Sequence, residues 1–179
     1  LVVSQWGPRK NIGSTISWFV EKFKDNPDVG LVVKGFFRNN CNMDREGSEN
    51  AIKNLVPKDA KCKVYLLHGD LTDGEMSDLY TYSGLPVITT NWSGQCDFLN
   101  MPEKVRKKGS KKKTETVIKP MFCEVEYTLG PIQPEAVWDG VLQADSMWCY
   151  ADKESYQRVL EDFVSNYSKY QDMASKLKE

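Results

Sequence analysis

Short apolar runs alternating with amphipathic helical patterns constrain this chain more than any other feature. Residues 1–4 open as a strand and 5–13 form a Gly- and Pro-containing loop. Over 14–24, Ile16, Phe19, Val20 and Phe23 recur at the spacing of one helical face. After the turn at 25–28, residues 29–33 are continuously apolar, which predicts a strand buried on both faces. A polar helix over 44–55, with Ala51, Ile52 and Leu55 inward, leads to a strand over 62–67. Thr72 and Glu75 stand at capping-box spacing ahead of a further helix, and a short strand follows over 86–89.

This alternation predicts an α/β fold: a Rossmann-like parallel sheet with crossover helices on both faces. Ligands collect at the carboxyl ends of such strands. The loops 5–13, 35–40, 68–74 and 91–94 are therefore expected to share one functional edge. Residues 1–99 read as the core, 100–120 as a basic loop, and 121–179 as strand and helices completing the same domain. Seven Lys and Arg fall between Lys104 and Lys113. Without interleaved aromatics the run reads as a solvated loop rather than a nucleic-acid contact. A helix from 153 to about 177 is expected to present Tyr156, Leu160, Phe163, Val164 and Tyr167 on one face. The aromatics Trp138, Trp148 and Tyr150 are assigned to the core.

Charge and cysteine usage exclude several classes. With 24 Lys and Arg against 25 Asp and Glu, no global field draws the chain to a polyanion. The apolar runs are far shorter than the ~20 residues that span a bilayer, and no signal peptide is evident. Five unevenly spaced cysteines and the single histidine, His68, form neither a disulfide framework nor a zinc site. A reducing, cytoplasmic setting is expected. Asp70, Asp73 and Glu75 fit capping and solvation better than metal binding, so no metal is expected to be required. The strand-like start, Leu1-Val-Val-Ser, suggests part of a longer protein.

Three segments in order, "SQWGPRKNIGST", "VYLLHGDLTDGEMSDLY" and "GLPVITTNWSGQCDFL", resemble the carboxy-terminal half of group 1 retaining glycosyltransferases. These enzymes have the GT-B fold, and the wording around "RKN", "WSGQCDFL" and "VWDGVLQADSMWCY" is closest to phage-type members. The resemblance implies a domain that binds a nucleoside diphosphate sugar and transfers its hexose to an acceptor, whether saccharide, protein or modified DNA base. No covalently bound cofactor is implied.

By the resemblance, Arg9 and Lys10 face the donor diphosphate, Ser93 and Gly94 form the turn over the phosphates, and Gly69, Asp70 and Leu71 seat the nucleobase. Lys10 falls on the family lysine, whereas the family arginine falls on Gln5. Lys34, at the end of a strand, either faces the diphosphate or snorkels to solvent. His68 is expected to be structural, and no catalytic residue is assigned. The family's strand, Glu-Gly-Phe-Gly-like loop and second glutamate are missing before Gly84, as is an amino-terminal acceptor domain. A join is therefore expected near 81–84. The rival readings are a nucleotide-binding module without catalysis and a structural α/β domain of a larger assembly.

Overall fold

The computed structural model describes residues 1–82, 86–106 and 114–176. The chain divides into two compact units, Leu1–Ser83 with Leu129–Trp148, and Gly84–Thr128 with Cys149–Glu179. The described residues form a mixed α/β fold with six α-helices.

In the first unit β1 (Val2–Val3), β2 (Gly30–Lys34) and β3 (Lys63–Leu67) form a three-stranded sheet in the order β1-β2-β3. Both pairings are parallel, with Val2 opposite Val33 and Val33 opposite Leu66. Between the strands run α1 (Ile12–Phe23) and α2 (Asn42–Leu55), and α3 (Asp73–Tyr82) follows β3. Helix α1 buries Ile12, Ile16, Phe19, Val20 and Phe23, the face its apolar spacing requires. At about 1.5–3 kcal/mol for each fully buried side chain of this size, that stripe is the main hold on the helix. Leu31 and Val33 of the central strand are buried as well.

Crossover helices on both faces were the expectation, and α1 and α2 depart from it. The strand order advances one place at a time in one direction, so two right-handed crossovers put α1 and α2 on the same face. There they pack against each other. Their boundaries also begin earlier than the apolar spacing suggests, because Asn11 in the left-handed region (φ 48°) and the extended Cys41 mark the starts.

The short strand expected over 86–89 is β4 (Ile88–Thr90), and it does not extend this sheet. It pairs in parallel with β7 (Cys123–Val125) within the second unit, Ile88 opposite Cys123. Three residues long, it takes its neighbour from the segment 121–130, whose strand-like composition is borne out at β7 but names no partner. The loop 91–94 therefore follows a strand of another sheet, in the second unit.

The basic loop expected over 100–120 is instead strand in all of its described residues. Strands β5 (Asn100–Arg106) and β6 (Thr114–Pro120) pair antiparallel from Asn100 opposite Pro120 to Arg106 opposite Thr114. Lys104 lies on β5, and 107–113 lie outside the described residues. The same is true of the join expected beyond Tyr82 and of the end of the last helix near Leu177.

The rest of the second unit packs α5 (Lys153–Ser165) against β7. Its core holds Leu99, Met121, Phe122, Cys123, Val125, Leu160 and Tyr170. Asp152 caps α5 by accepting the Ser155 N–H at 2.7 Å, and Ser155 Oγ accepts the Glu126 N–H at 2.9 Å. The single long helix expected from 153 is instead α5 and α6 (Tyr167–Ser175), broken at Asn166. Asn166 leaves helical geometry (φ −125°, ψ 36°), while its side-chain amide donates to Asp162 Oδ1 at 2.7 Å. A side chain that bonds locally in this way competes with helix continuation. Of the face expected to be apolar, Leu160 is buried and Val164 is exposed.

Strands β8 (Tyr127–Pro131) and β9 (Met147–Ala151) form a two-stranded ladder. Trp148 is core as expected, 8% exposed, but Trp138 is 67% exposed, against the expectation. Trp138 closes a tight turn with Leu142, its N–H donating to the Leu142 carbonyl at 3.0 Å. Asp139-Gly140 supplies the bend, Gly140 at φ 74°, and this turn chemistry outweighs the pull of the indole toward the core.

Candidate functional site

The parallel sheet brings three chain segments to one edge of the first unit. Beyond the formal strands the backbones stay paired: Ser4 N–H donates to Lys34 O at 3.0 Å, Gly35 N–H to Leu67 O at 3.3 Å, and Trp6 N–H to Phe36 O at 3.0 Å. At Gly35 a Cβ would lie 2.1 Å from the Ser4 carbonyl oxygen, so only glycine permits this approach. A depression of about 250 Å³ opens at this edge, where Gln5, Lys34, Asp70, Leu71 and Met76 line it.

Lys34 ends β2 and is only 6% exposed. Its ammonium donates to the carbonyl oxygen of Gly69, and it forms no ion pair among the described residues. Snorkelling to solvent is thus not its state. Gly69 adopts φ 100°, a backbone conformation that favours glycine, and a Cβ there would also press on Asn40 Oδ1 at 3.0 Å. Asn40 Nδ2 donates to Asp70 Oδ2 at 3.2 Å, tying the loop after β2 to the loop after β3.

Beneath that tie lies an anchor absent from the sequence reading. Asp44, in the first turn of α2, accepts the N–H groups of Phe37 (2.9 Å), Arg38 (2.6 Å) and Asn39 (3.0 Å). Its Oδ1 also meets His68 Nε2 at 3.0 Å, and the two side chains are 7% and 6% exposed. Burial alone would raise the Asp44 pKa. The hydrogen bonds from Asn39, His68, Phe37 and Arg38 outweigh it and hold the carboxyl well below the usual range. His68 therefore serves as a fixed partner of the loop anchor. An Asp in a first helical turn just after a Gly-containing loop is the only sequence signal that points to this arrangement. Trp6 and Phe37 stack beside it, centroids 5.1 Å apart.

The other expected phosphate contacts are not gathered here. Arg9 and Lys10 lie exposed on a 3-10 turn, Pro8–Lys10, which packs beside a second 3-10 turn, Pro134–Ala136, and neither lines the depression. Ser93 and Gly94 belong to the second unit, with Ser93 in the left-handed region at φ 71°. The helix that follows, α4 (Cys96–Leu99), is a single turn with Gln95, not Ser93, at its N-cap position and no side-chain cap. Gln95 Nε2 donates to the Thr90 carbonyl at 3.2 Å, closing that turn on itself.

Among the described residues no group of three or more His, Cys, Asp or Glu is placed to hold a metal ion, and no helix is long and apolar enough to cross a membrane. Glu75 is engaged by the capping box: Thr72 N–H and Oγ1–H donate to its carboxylate at 2.8 Å each, and Glu75 N–H donates to Thr72 Oγ1 at 3.3 Å. None of the five cysteines is paired. No known protein family, curated protein or solved structure matches the chain.

Proposed function

We propose that the first unit is the nucleotide-sugar-binding part of a retaining glycosyltransferase, a Rossmann-like half of a GT-B enzyme that acts in the cytoplasm. It would transfer a hexose from a nucleoside diphosphate sugar to a saccharide, protein or modified-base acceptor, without a metal. One observation carries the reading: an open depression at the carboxyl ends of three parallel strands, where α/β sheets place ligands, with a cation in its lining. In this reading Lys34 holds diphosphate charge and the backbone at Gly69, Asp70 and Leu71 seats the base. Arg9 and Lys10, exposed in the loop after β1, supply further positive charge to the leaving diphosphate.

The ordered segments "SQWGPRKNIGST" and "VYLLHGDLTDGEMSDLY" add support, because they flank this edge. A nucleotide-binding module without catalysis is the second reading. It is favoured by the missing glutamate-bearing segment before Gly84. Isothermal calorimetry of the chain with UDP, GDP and their sugars tests both. Heat with one nucleotide, weakened at least tenfold in Lys10→Ala, is expected. No heat with any nucleotide rules out both and leaves a structural domain. Release of free sugar or its transfer to an added acceptor separates the enzyme from the binder.

A further inference from the structure

We propose that the depression at the sheet edge binds a phosphorylated polyol, with the phosphate on the Lys34 ammonium and a sugar hydroxyl on the Asp70 carboxylate. The inference deepens the donor-site reading and rests on it only for the choice of a sugar ester over other phosphates.

The argument begins with an unbalanced charge. Lys34 is 94% buried in effect, at 6% exposure, yet its three N–H donors have one acceptor, the Gly69 carbonyl. A buried ammonium without a carboxylate is among the costliest groups a fold can carry, and proteins pair such charges or bind something that does. Asp70 lines the same depression but forms no ion pair with Lys34. In this proposal a ligand supplies the counter-charge. A phosphate offers several oxygens to the two unused protons of the ammonium and forms charge-assisted bonds with them.

Asp70 sets the second requirement. It is exposed, and Asn40 Nδ2 fixes one of its oxygens at 3.2 Å, which leaves the other as an acceptor. A carboxylate close to a phosphate repels a bare anion but accepts from a hydroxyl, so it favours a phosphate ester of a sugar over phosphate itself. Size agrees. Ligand pockets span roughly 300–1,000 Å³, and about 250 Å³ suits one sugar ring with one phosphate, the part of a nucleotide sugar that the depression itself would enclose. Leu71 and Met76 supply an apolar wall for the C–H face of a ring. That ring is either the ribose of a nucleotide or the hexose of a sugar phosphate.

The test measures thermal stabilisation and calorimetric affinity of the whole chain with inorganic phosphate, glucose 1-phosphate, UMP and UDP-glucose. Each ligand that binds the folded state raises Tm by mass action. Glucose 1-phosphate or UMP is expected to bind at least tenfold more tightly than phosphate, and the tighter of the two identifies the ring. Lys34→Met is expected to lose at least tenfold for every phosphorylated ligand. Asp70→Asn, at an exposed position, is expected to fold and to lose the preference for the ester over phosphate. Unchanged preference in Asp70→Asn overturns the proposal, as does wild-type affinity in Lys34→Met. Should Lys34→Met not fold, Lys34→Gln and the Asp70→Asn preference carry the decision. UDP-glucose binding that survives Lys34→Met at full strength leaves the donor reading standing and removes this one. Sugar phosphate binding with no nucleotide binding does the reverse.

Discussion

The Asp44 carboxylate and the His68 imidazole lie 3.0 Å apart, both almost wholly buried, and join the start of α2 to the end of β3. The same carboxylate holds three consecutive N–H groups of the loop after β2. That loop carries Asn40, which in turn positions Asp70 in the depression. The shape of the candidate site therefore depends on one carboxylate that does not itself line the depression.

Removing that anchor should loosen the edge without touching its lining. Asp44→Ala leaves three loop N–H groups and the His68 ring without their acceptor, and unmade bonds of this kind are among the larger sources of destabilisation. The expected fall in Tm is on the order of 5 °C. Calorimetry should also show weaker binding of any ligand that contacts Asp70. A Tm within a degree of wild type would mean that water replaces the carboxylate at no cost.

Acid should weaken the fold through the same group. The Asp44 pKa is lowered in the folded state, so its contribution is complete above the unfolded carboxylate range and is lost as pH falls through that range toward the folded pKa. Urea midpoints measured from about pH 6 to pH 3 should decline. Asp59, Glu75 and Asp162 are lowered as well and share the trend. The Asp44 part is isolated by Asp44→Asn, which cannot titrate there and should show a shallower decline than wild type. Parallel curves would assign the effect to the other carboxylates.

How much of this was legible in the sequence follows from the range of each signal. The α1 stripe from Ile16 to Phe23 and the Thr72–Glu75 capping box are local patterns, and both appear as their spacing requires. Strand β2 announces itself by composition, since Leu31 and Val33 must be buried. Pairing is a different matter. Nothing in Ile88–Thr90 says that its neighbour is Cys123–Val125 rather than β3, because three residues hold too little alternation to fix a partner.

The candidate site divides in the same way. Lys34 is conspicuous as a charge at the end of an apolar run, whereas Gly69 to Leu71 are singled out only by the resemblance. Asp44 is not conspicuous, because its partners are backbone groups five to seven residues earlier and a histidine 24 residues later. A carboxylate in a first helical turn looks like any dipole-favoured residue. Its role emerges only when β2 and β3 are aligned.

Helix α3 offers a check on the local reading. Thr72→Ala removes the hydroxyl that accepts the Glu75 N–H and that donates to the Glu75 carboxylate. Loss of a Thr cap costs about 1 kcal/mol, or roughly 2–4 °C in a chain of this size. Because α3 carries Met76 in the wall of the depression, amide exchange should speed up through 73–76 before it does in α1. Equal protection in the variant and wild type would show that tertiary contacts alone set the start of α3.

The closest backbone approach in the site gives the sharpest structural prediction. At Gly35 an added methyl would sit 2.1 Å from the Ser4 carbonyl oxygen, below any contact a real Cβ makes, and the obstacle is backbone. Ser4 cannot retreat freely, since its N–H is bonded to Lys34 O at 3.0 Å and the next pairing, Trp6 to Phe36, is also 3.0 Å. Relief requires β1 to separate from β2 at its carboxyl end, which breaks both bonds and splays the wall that holds Gln5 and Lys34. Gly35→Ala should therefore lower Tm by about 5 °C or more and abolish ligand stabilisation at this edge. Gly7→Ala and Gly74→Ala serve as controls, because a Cβ at either meets nothing within 4 Å. Those two should stay within about 2 °C of wild type, exposed as they are. A Gly35→Ala protein as stable as these controls would show that β1 is not held against β2 where the site requires it.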